Sequence, residues 1–327
     1  SFQVSSTMSN FNGGSWEQYM GANASLVSKD NVYGIAVYQS YRNRNPYDVD
    51  GDSFSEIGKL NMNTFGLRAY YRPTQFGRLS IEYHTTNEFR RGGNKFDLEP
   101  FETDITEQTK HVINSGGLTY DLFWKEYKHK LSFYTSAQHV DRNSYYGAQQ
   151  DPNAYGKTKD LTFVGGGMYV GNFDKVLFSP ATFTAGLEYS HNNMHDIMAG
   201  YNRDLEQKVR IASAFFQNEW KMNDFTLLAG FRLDDHNLIE NLIFSPRVNL
   251  LYKPSDALQG RLTWSTGFRA PQAYDEDLHV TAVGGEGVLI HLADGLKPEK
   301  SNSFSGSVDL SGQIGHFQTN LLIEGFY

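Results

Sequence analysis

Between Asp224 and Arg269 the chain repeats one pattern three times, with apolar and polar residues alternating. Phe225, Leu227, Ala229, Phe231 and Leu233 interleave with Thr226, Gly230, Arg232 and Asp234. Phe244, Val248, Leu250 and Tyr252 then stand against Ser245, Arg247 and Asn249. Leu258, Leu262, Trp264 and Phe268 stand against Gln259, Arg261, Thr263, Ser265 and Arg269. A period of two means a β-strand with one apolar and one polar face. In a soluble sandwich the polar face meets water outside. In a membrane barrel it points into a lumen, and the apolar face meets lipid.

The spacing of the runs separates these cases. Strand-like stretches also lie near Phe2 to Met8, Ser15 to Ser28, Val32 to Asn43, Asn61 to Arg72 and Arg78 to Arg90. Others lie near Val112 to Trp124, Lys130 to Val140, Leu161 to Val170, Thr182 to Asn192, Lys208 to Lys221, Ser301 to Leu310 and His316 to Tyr327. Together they make about 15 strands, each near the roughly 10 residues a tilted membrane strand needs. Tight turns rich in Asn, Asp, Gly and Pro (Lys29 to Asn31, Pro73 to Gln75, Met222 to Asp224, Pro254 to Asp256, Gly312 to Gly315) alternate with longer polar loops. Those loops are Asn45 to Lys59, Arg91 to Thr109, Asn143 to Asp160, Met194 to Gln207 and Ala270 to Lys300. An up-and-down membrane barrel alternates in this way; a Greek-key sandwich has no reason to. The reading is all-β: an antiparallel up-and-down transmembrane barrel, one incomplete domain over 1–327. On Leu79 to Arg90, Glu82, His84, Glu88 and Arg90 share the face opposite Leu79, Ile81, Tyr83 and Phe89, as a water-filled lumen requires.

Composition narrows function mostly by exclusion. With 29 basic and 37 acidic residues the net charge is −8, and no basic block offers a nucleic-acid surface. Without cysteine there are no disulfides, zinc-thiolate sites or thiol catalysis. No stretch approaches the roughly 20 apolar residues of a membrane helix. A mean hydropathy of −0.52 is equally compatible with barrel strands. The 20 Tyr, 23 Phe and 31 Gly beside 9 Pro suit aromatic girdles and glycine-rich strands. The chain opens at Ser1 inside a strand-like run, and the expectation is an internal fragment that leaves an open sheet.

Three motifs in order carry a family resemblance. Ser245-Pro246-Arg247 begins a strand that continues through Asn249 and Tyr252 to Pro254. Gly267-Phe268-Arg269-Ala270-Pro271 closes the next strand, and after a long loop Leu296-Lys297-Pro298-Glu299-Lys300-Ser301 opens another. Together they resemble the late barrel region of TonB-dependent outer-membrane receptors. Asp275-Glu276-Asp277-Leu278-His279 resembles a Bacteroidetes variant. The resemblance implies a barrel of about 22 strands around an N-terminal plug, in the bacterial outer membrane. It also implies active uptake of a scarce nutrient such as a ferric siderophore or cobalamin, energised by the TonB complex. Its implied partners are the lipid bilayer, a small-molecule or metal-chelate ligand and, through the plug, the TonB complex. A passive porin-like channel and an outer-membrane hydrolase remain open, although no nucleophile elbow or phosphate-binding glycine loop is present.

Candidate binding residues fall on the expected loops. Asp48, Asp50 and Asp52 around Gly51, with Glu56 beyond, can cradle calcium, the one candidate cofactor; a solvated loop is the alternative. Tyr145, Tyr146, Tyr155 and Tyr201 offer aromatic contact with a polar tip, for a ligand or for a girdle above the lipid. His191 and His195 sit at an expected strand-to-loop junction, as ligand contacts or rim residues. Arg90 and Arg91 open another loop, where they can attract an anionic chelate or balance Glu88 and Asp97.

Overall fold

The computed structural model describes residues 1–272, 293 and 295–327. They form one sheet of fifteen antiparallel strands in strict sequence order. The strands are β1 (Phe2–Phe11), β2 (Ser15–Val27), β3 (Tyr33–Arg44), β4 (Ser55–Thr74), β5 (Gly77–Gly93), β6 (Ile105–Trp124), β7 (His129–Ala148) and β8 (Tyr155–Val176). They continue with β9 (Ser179–Met198), β10 (Arg203–Met222), β11 (Phe225–His236), β12 (Ile243–Ser255), β13 (Leu258–Arg269), β14 (Glu299–Ile314) and β15 (Phe317–Phe326). The only helical elements among the described residues are 3₁₀ turns at Pro100–Glu102 and Ala199–Tyr201. β1 and β15 do not pair, so the sheet is open, a partial barrel.

Connections alternate as expected. Odd-to-even strands are joined by residues 12–14, 45–54, 94–104, 149–154, 199–202, 237–242 and 270–298, and even-to-odd strands by 28–32, 75–76, 125–128, 177–178, 223–224, 256–257 and 315–316. Because each strand reverses direction, Asp50 lies at the loop end and Pro254 at the turn end. Several loops are shorter than the sequence suggests. β7 runs on to Ala148, β8 starts at Tyr155, and β9 and β10 reach Met198 and Arg203. Much of what reads as polar loop is therefore strand rising beyond the apolar band. Pairing compensates there for weak hydrophobic patterning. Asp275 to His279, and most of the expected Ala270 to Lys300 loop, lie outside the described residues.

The register sorts side chains to two faces. Leu262 stands level with Leu250, and Trp264 with Val248 and Phe304, on one face. Thr263, Asn249 and Ser305 stand level on the other. On that polar face Tyr38 reaches over β4 to His84 (2.9 Å), Tyr134 over β8 to Glu188 (2.6 Å), and Arg232 over β10 to Glu188 (2.8 Å). The concave side of a curved sheet draws side chains together in this way, so the polar face is inward. The outward face carries a chain of ring contacts, from Trp124 through Tyr169, Phe183, Phe216 and Phe231 to Phe244. On β8, Phe163 and Phe173 lie about 33 Å apart along the strand, and tilt reduces this to the roughly 25 Å apolar band of a membrane barrel.

Glycines let large inward rings lie flat. A Cβ on Gly66 would overlap the Tyr38 ring, and one on Gly34 the Tyr70 ring. The Gly-plus-aromatic composition thus has a packing cause as well as a girdle.

The two faces differ in what they tolerate. In the full-length protein, Leu262→Arg puts a charge into lipid near mid-depth and should cost about 2–4 kcal/mol. Thr263→Arg, one residue along and inward, should cost under about 1 kcal/mol. Denaturant titration of the folded fraction in vesicles checks both, and equal costs would mean that the faces are misassigned.

Candidate ligand-binding wall and loop end

Arginine sorts almost completely to the inward face; of the chain's arginines only Arg91 and Arg210 take outward positions in the register. Several inward arginines are tied to carboxylates across strands. Arg42 and Arg44 hold Glu17 at 2.9 and 3.5 Å, Arg68 holds Glu82 at 3.1 Å, and Arg232 bridges Glu188 and Asp234, both at 2.8 Å. Such charge-assisted bonds fix side chains on a wall that water would otherwise leave mobile.

Toward the loop end of β6 to β10 the wall opens into a hollow of about 390 Å³. His111, Arg142, Asp160, Asn192 and Gln207 line it, with Gln272 above. Arg142 donates from Nε (3.1 Å) and Nη2 (2.9 Å) to Thr158 Oγ1, and that hydroxyl donates to Asp196. Asp196 also takes Arg203 at 3.0 Å. Asn192 donates to Asp160, and Gln207 to Gln272 at 3.1 Å. The hollow presents a guanidinium, an imidazole, a carboxylate and three amides, a set able to hold a polar chelate by several hydrogen bonds. The sequence reading passes over it because Arg142, Asp160 and Gln207 sit at the edges of segments that read as loops. Following the inward parity of β7 to β10 up to their ends would have found them.

The residues singled out in the sequence do not converge on one site. Arg90 faces inward and is spent on Glu88 at 2.8 Å. Arg91 faces outward, is buried, and donates to the Lys95 (3.3 Å) and Leu98 (2.9 Å) carbonyls with its guanidinium near the Phe96 ring. It shapes its own loop rather than meeting a ligand. Tyr145 is fully buried, its hydroxyl donating to the Asp151 carbonyl at 2.9 Å, and Tyr146 is buried too. Neither is presented at the surface. Tyr155 stays 43% exposed, edge-on to Tyr145 at 4.8 Å. His191 and His195 lie within β9 on its outward face, not at a loop junction, and His195 pairs with Asp204 at 2.7 Å.

Tyr201 donates to Asp151 Oδ2 at 2.6 Å, and the Asn153 amide donates to Oδ1 at 2.8 Å. These bonds, the Tyr201 one first, hold the Asp151 carboxyl below the usual carboxylate range. Asp104 is held down likewise by Lys95 and then Asn94. The loops 94–104 and 149–154 are therefore internally bonded.

In the acidic loop, one carboxylate oxygen from each of Asp48, Asp50, Asp52 and Glu56 lies within 4.8 Å of the others. Each also accepts a backbone N–H: Asp48 from Gly51 (2.6 Å) and Ser53 (2.8 Å), Glu56 from Val49 (2.6 Å), Asp50 from Asp52 (3.3 Å) and Asp52 from Phe54 (2.8 Å). These backbone bonds shape the loop, and its carboxylate oxygens are close enough to share one ion.

The motif residues take regular places. Ser245 and Pro246 precede the start of the β12–β13 ladder at Arg247, so Pro246 breaks no bond on that side. Gly267 and Phe268 lie near the end of β13, and Arg269 stands opposite Glu299 at the start of β14. Phe268 meets His236 edge-on at 6.2 Å. Pro271 follows the end of β13, and Leu296 and Pro298 lead into β14.

A one-sheet meander with a lipid band outside and a polar wall inside defines a membrane barrel of the outer-membrane type. The family model described as TonB dependent receptor-like, beta-barrel matches residues 11–326, and the chain belongs to that family. No curated protein matches the chain. Among solved structures, the siderophore receptor PirA from Pseudomonas aeruginosa superposes with a TM-score of 0.72 at 13% identity, over 95% of this chain and 52% of that one. PirA from Acinetobacter baumannii gives 0.72 at 16%, over 98% and 51%. A ferric enterobactin receptor mutant from Pseudomonas aeruginosa, in complex with enterobactin, gives 0.70 at 16%, over 95% and 51%. The chain spans about half the length of these receptors. The family places it in the outer membrane.

The Asp151 clamp has a pH signature. A carboxyl depressed in the folded state stabilises above its unfolded value, and that contribution fades as pH falls through the depressed value. Tyr201→Phe removes the largest cause, so loop 149–154 should open at a higher pH than in the wild type. Pepsin cleavage between Ala148 and Tyr155 along an acid titration reads this directly. Coincident profiles would show that Tyr201 does not hold the loop.

Proposed function

We propose that the chain forms the ligand-contacting wall of a receptor that takes up a ferric siderophore, energised through the TonB complex. The observation that carries the reading is the polar hollow at His111, Arg142, Asp160, Asn192 and Gln207, facing the lumen near the loop end. Ferric siderophores are polar, often anionic chelates, and a held guanidinium beside amide donors suits them. The siderophore receptors among the solved structures favour this class over cobalamin. Outer-membrane active transport explains a wall so crowded with paired charges better than a passive pore does, since a pore gains by keeping its bore open.

Calcium fits the same reading as an ordering ion for the 45–54 loop. Asp50→Asn with Asp52→Asn should then weaken chelate binding in calcium and change little in chelator. If added calcium leaves affinity unchanged in both proteins, the loop is ordinary solvated surface.

The hollow is tested in the full-length receptor with radioactive iron loaded on candidate siderophores. Arg142→Ala should raise Kd about tenfold, equivalent to about 1.4 kcal/mol, while the outward Arg210→Ala should leave it unchanged. Equal effects, or none, would remove the hollow from the binding site.

A further inference from the structure

One arginine departs from the inward sorting with no bond inside the chain to account for it. Arg91, the other outward arginine, is buried and bonded within its own loop. Arg210 is exposed, and among the described residues its guanidinium has no hydrogen bond or ion pair. It stands opposite His191, and Lys208, two residues back on β10, stands opposite Asn193. The four side chains form a two-by-two block on the outward face of β9 and β10. Neither His191 nor Asn193 has a polar partner for its side chain among the described residues, and their Nδ1 and Oδ1 atoms are buried and unpaired. The backbone beneath is held although the β10–β11 ladder ends at Ile211 and His236. Asn237 accepts from the Arg210 amide (2.7 Å) and donates to the Lys208 carbonyl (2.8 Å). Outward carboxylates stand around the block. Glu206 holds Lys208 at 2.5 Å, Asp204 holds His195 at 2.7 Å, and Asp141 stands opposite Lys159. Asp235 stands across from Ala212, one rung nearer the lipid, and makes no ion pair with Arg210.

The block sits where the apolar band ends. His191 is level with Phe163, the upper ring of that band on β8. Directly below on the same two strands, Tyr189 faces outward beside Ala212 and Leu187 beside Ala214. Tyr189 and Leu187 are exposed, and the two alanines leave a shallow apolar strip between them and β11. We propose that Arg210, Lys208, His191 and Asn193 hold the phosphate of a lipid in the loop-side leaflet, whose acyl chains lie along that strip. Cross-strand neighbours have Cβ atoms about 5 Å apart, so one group can meet all four. A guanidinium fork, an ammonium, an imidazole N–H and an amide suit a phosphate, which offers several acceptor oxygens and a charge. At this depth anionic headgroups are the charges that a cation meets. A water-soluble anion would face the same groups screened by salt and leave the apolar strip unused. Asp235 confines the phosphate to the β9 side of Arg210. The site lies on the face of the sheet opposite the polar hollow and does not depend on which nutrient the receptor carries.

The test is native mass spectrometry of the full-length receptor in detergent, titrated with dioleoylphosphatidic acid. Dioleoylglycerol, with the same chains and no phosphate, and inorganic phosphate are the comparison ligands. The expected result is one tightly held phosphatidic acid and no comparable dioleoylglycerol. Arg210→Ala should raise its apparent Kd about tenfold, more than the roughly fivefold of a cation acting only through surface charge. Lys157→Ala, an exposed outward lysine six residues along β8 from Phe163, should change it less than about twofold. Arg210→Lys keeps the charge and removes the fork, so it should still bind several-fold more weakly than the wild type. This variant also guards against misfolding as the cause of a loss. Equal effects of Arg210→Ala and Lys157→Ala, or equal binding of dioleoylglycerol, would overturn the proposal. Displacement of the lipid by inorganic phosphate would mark a simple anion site and overturn it as well. So would a lipid-free pair of receptors that Arg210→Ala separates, since a protein contact would then cover this face.

Discussion

Lipid offers the backbone no hydrogen bonds, and most of this architecture follows from that. Each peptide group in the apolar band must be paired inside the sheet, since an orphan there costs several kcal/mol. A meander in strict order satisfies this with the shortest connections, and the pairing of fifteen consecutive strands shows it carried through. The same rule makes the outer edges of β1 and β15 untenable in a bilayer unless further strands meet them. Register then becomes all-or-none. A slip of one residue on β13 would exchange Leu262 and Trp264 for Arg261 and Thr263 on the lipid side.

Once the faces are set, charge has one place to go within the band. Lysines gather mainly at turns, loops and strand ends, where a flexible ammonium stays hydrated. Arginines go inward, where a planar fork can hold two carboxylates at once, as Arg232 holds Glu188 and Asp234. These bonds tie strands that share no ladder: β9 to β11 through Arg232, and β7 to β9 through Tyr134. The wall is thus stiffened from inside by polar contacts and from outside by stacked rings. Its stiffness does not depend on a hydrophobic core, which a hollow barrel lacks.

Fold was legible because alternation is a local property. Thr263 against Trp264 can be read from neighbours alone, and so can the turn residues at Asn223 and Pro254. The site was less legible, because it depends on how far strands continue after alternation weakens. Arg142 and Asp160 bound a polar stretch that composition assigns to a loop, yet pairing extends β7 and β8 well into it. Tyr145 and Arg91 look like exposed loop residues for the same reason. Arg91 is buried by loop 94–104 folding back over it, and Tyr145 reaches the Asp151 carbonyl of loop 149–154, tertiary events with no periodic signature. The acidic cluster was found correctly as a cluster, since Gly51 and its flanking aspartates act within one turn.

The locked loops bear on how a ligand could be held. Loop 94–104 is pinned by Arg91 and by Asp104 with Asn94 and Lys95, and loop 149–154 by Asp151 with Tyr201 and Tyr145. A segment with that many internal bonds gives up several of them, at about 1 kcal/mol each, before it can fold over anything. Capture by closure of these two loops is therefore costly. The inward hollow needs no such movement, because Arg142 and Asn192 are already positioned by Thr158 and Asp160. Preorganised donors on a stiff wall lose little entropy on binding. On the proposed function, the recognition chemistry therefore belongs to the strands, with the loops as fixed walls around its entrance.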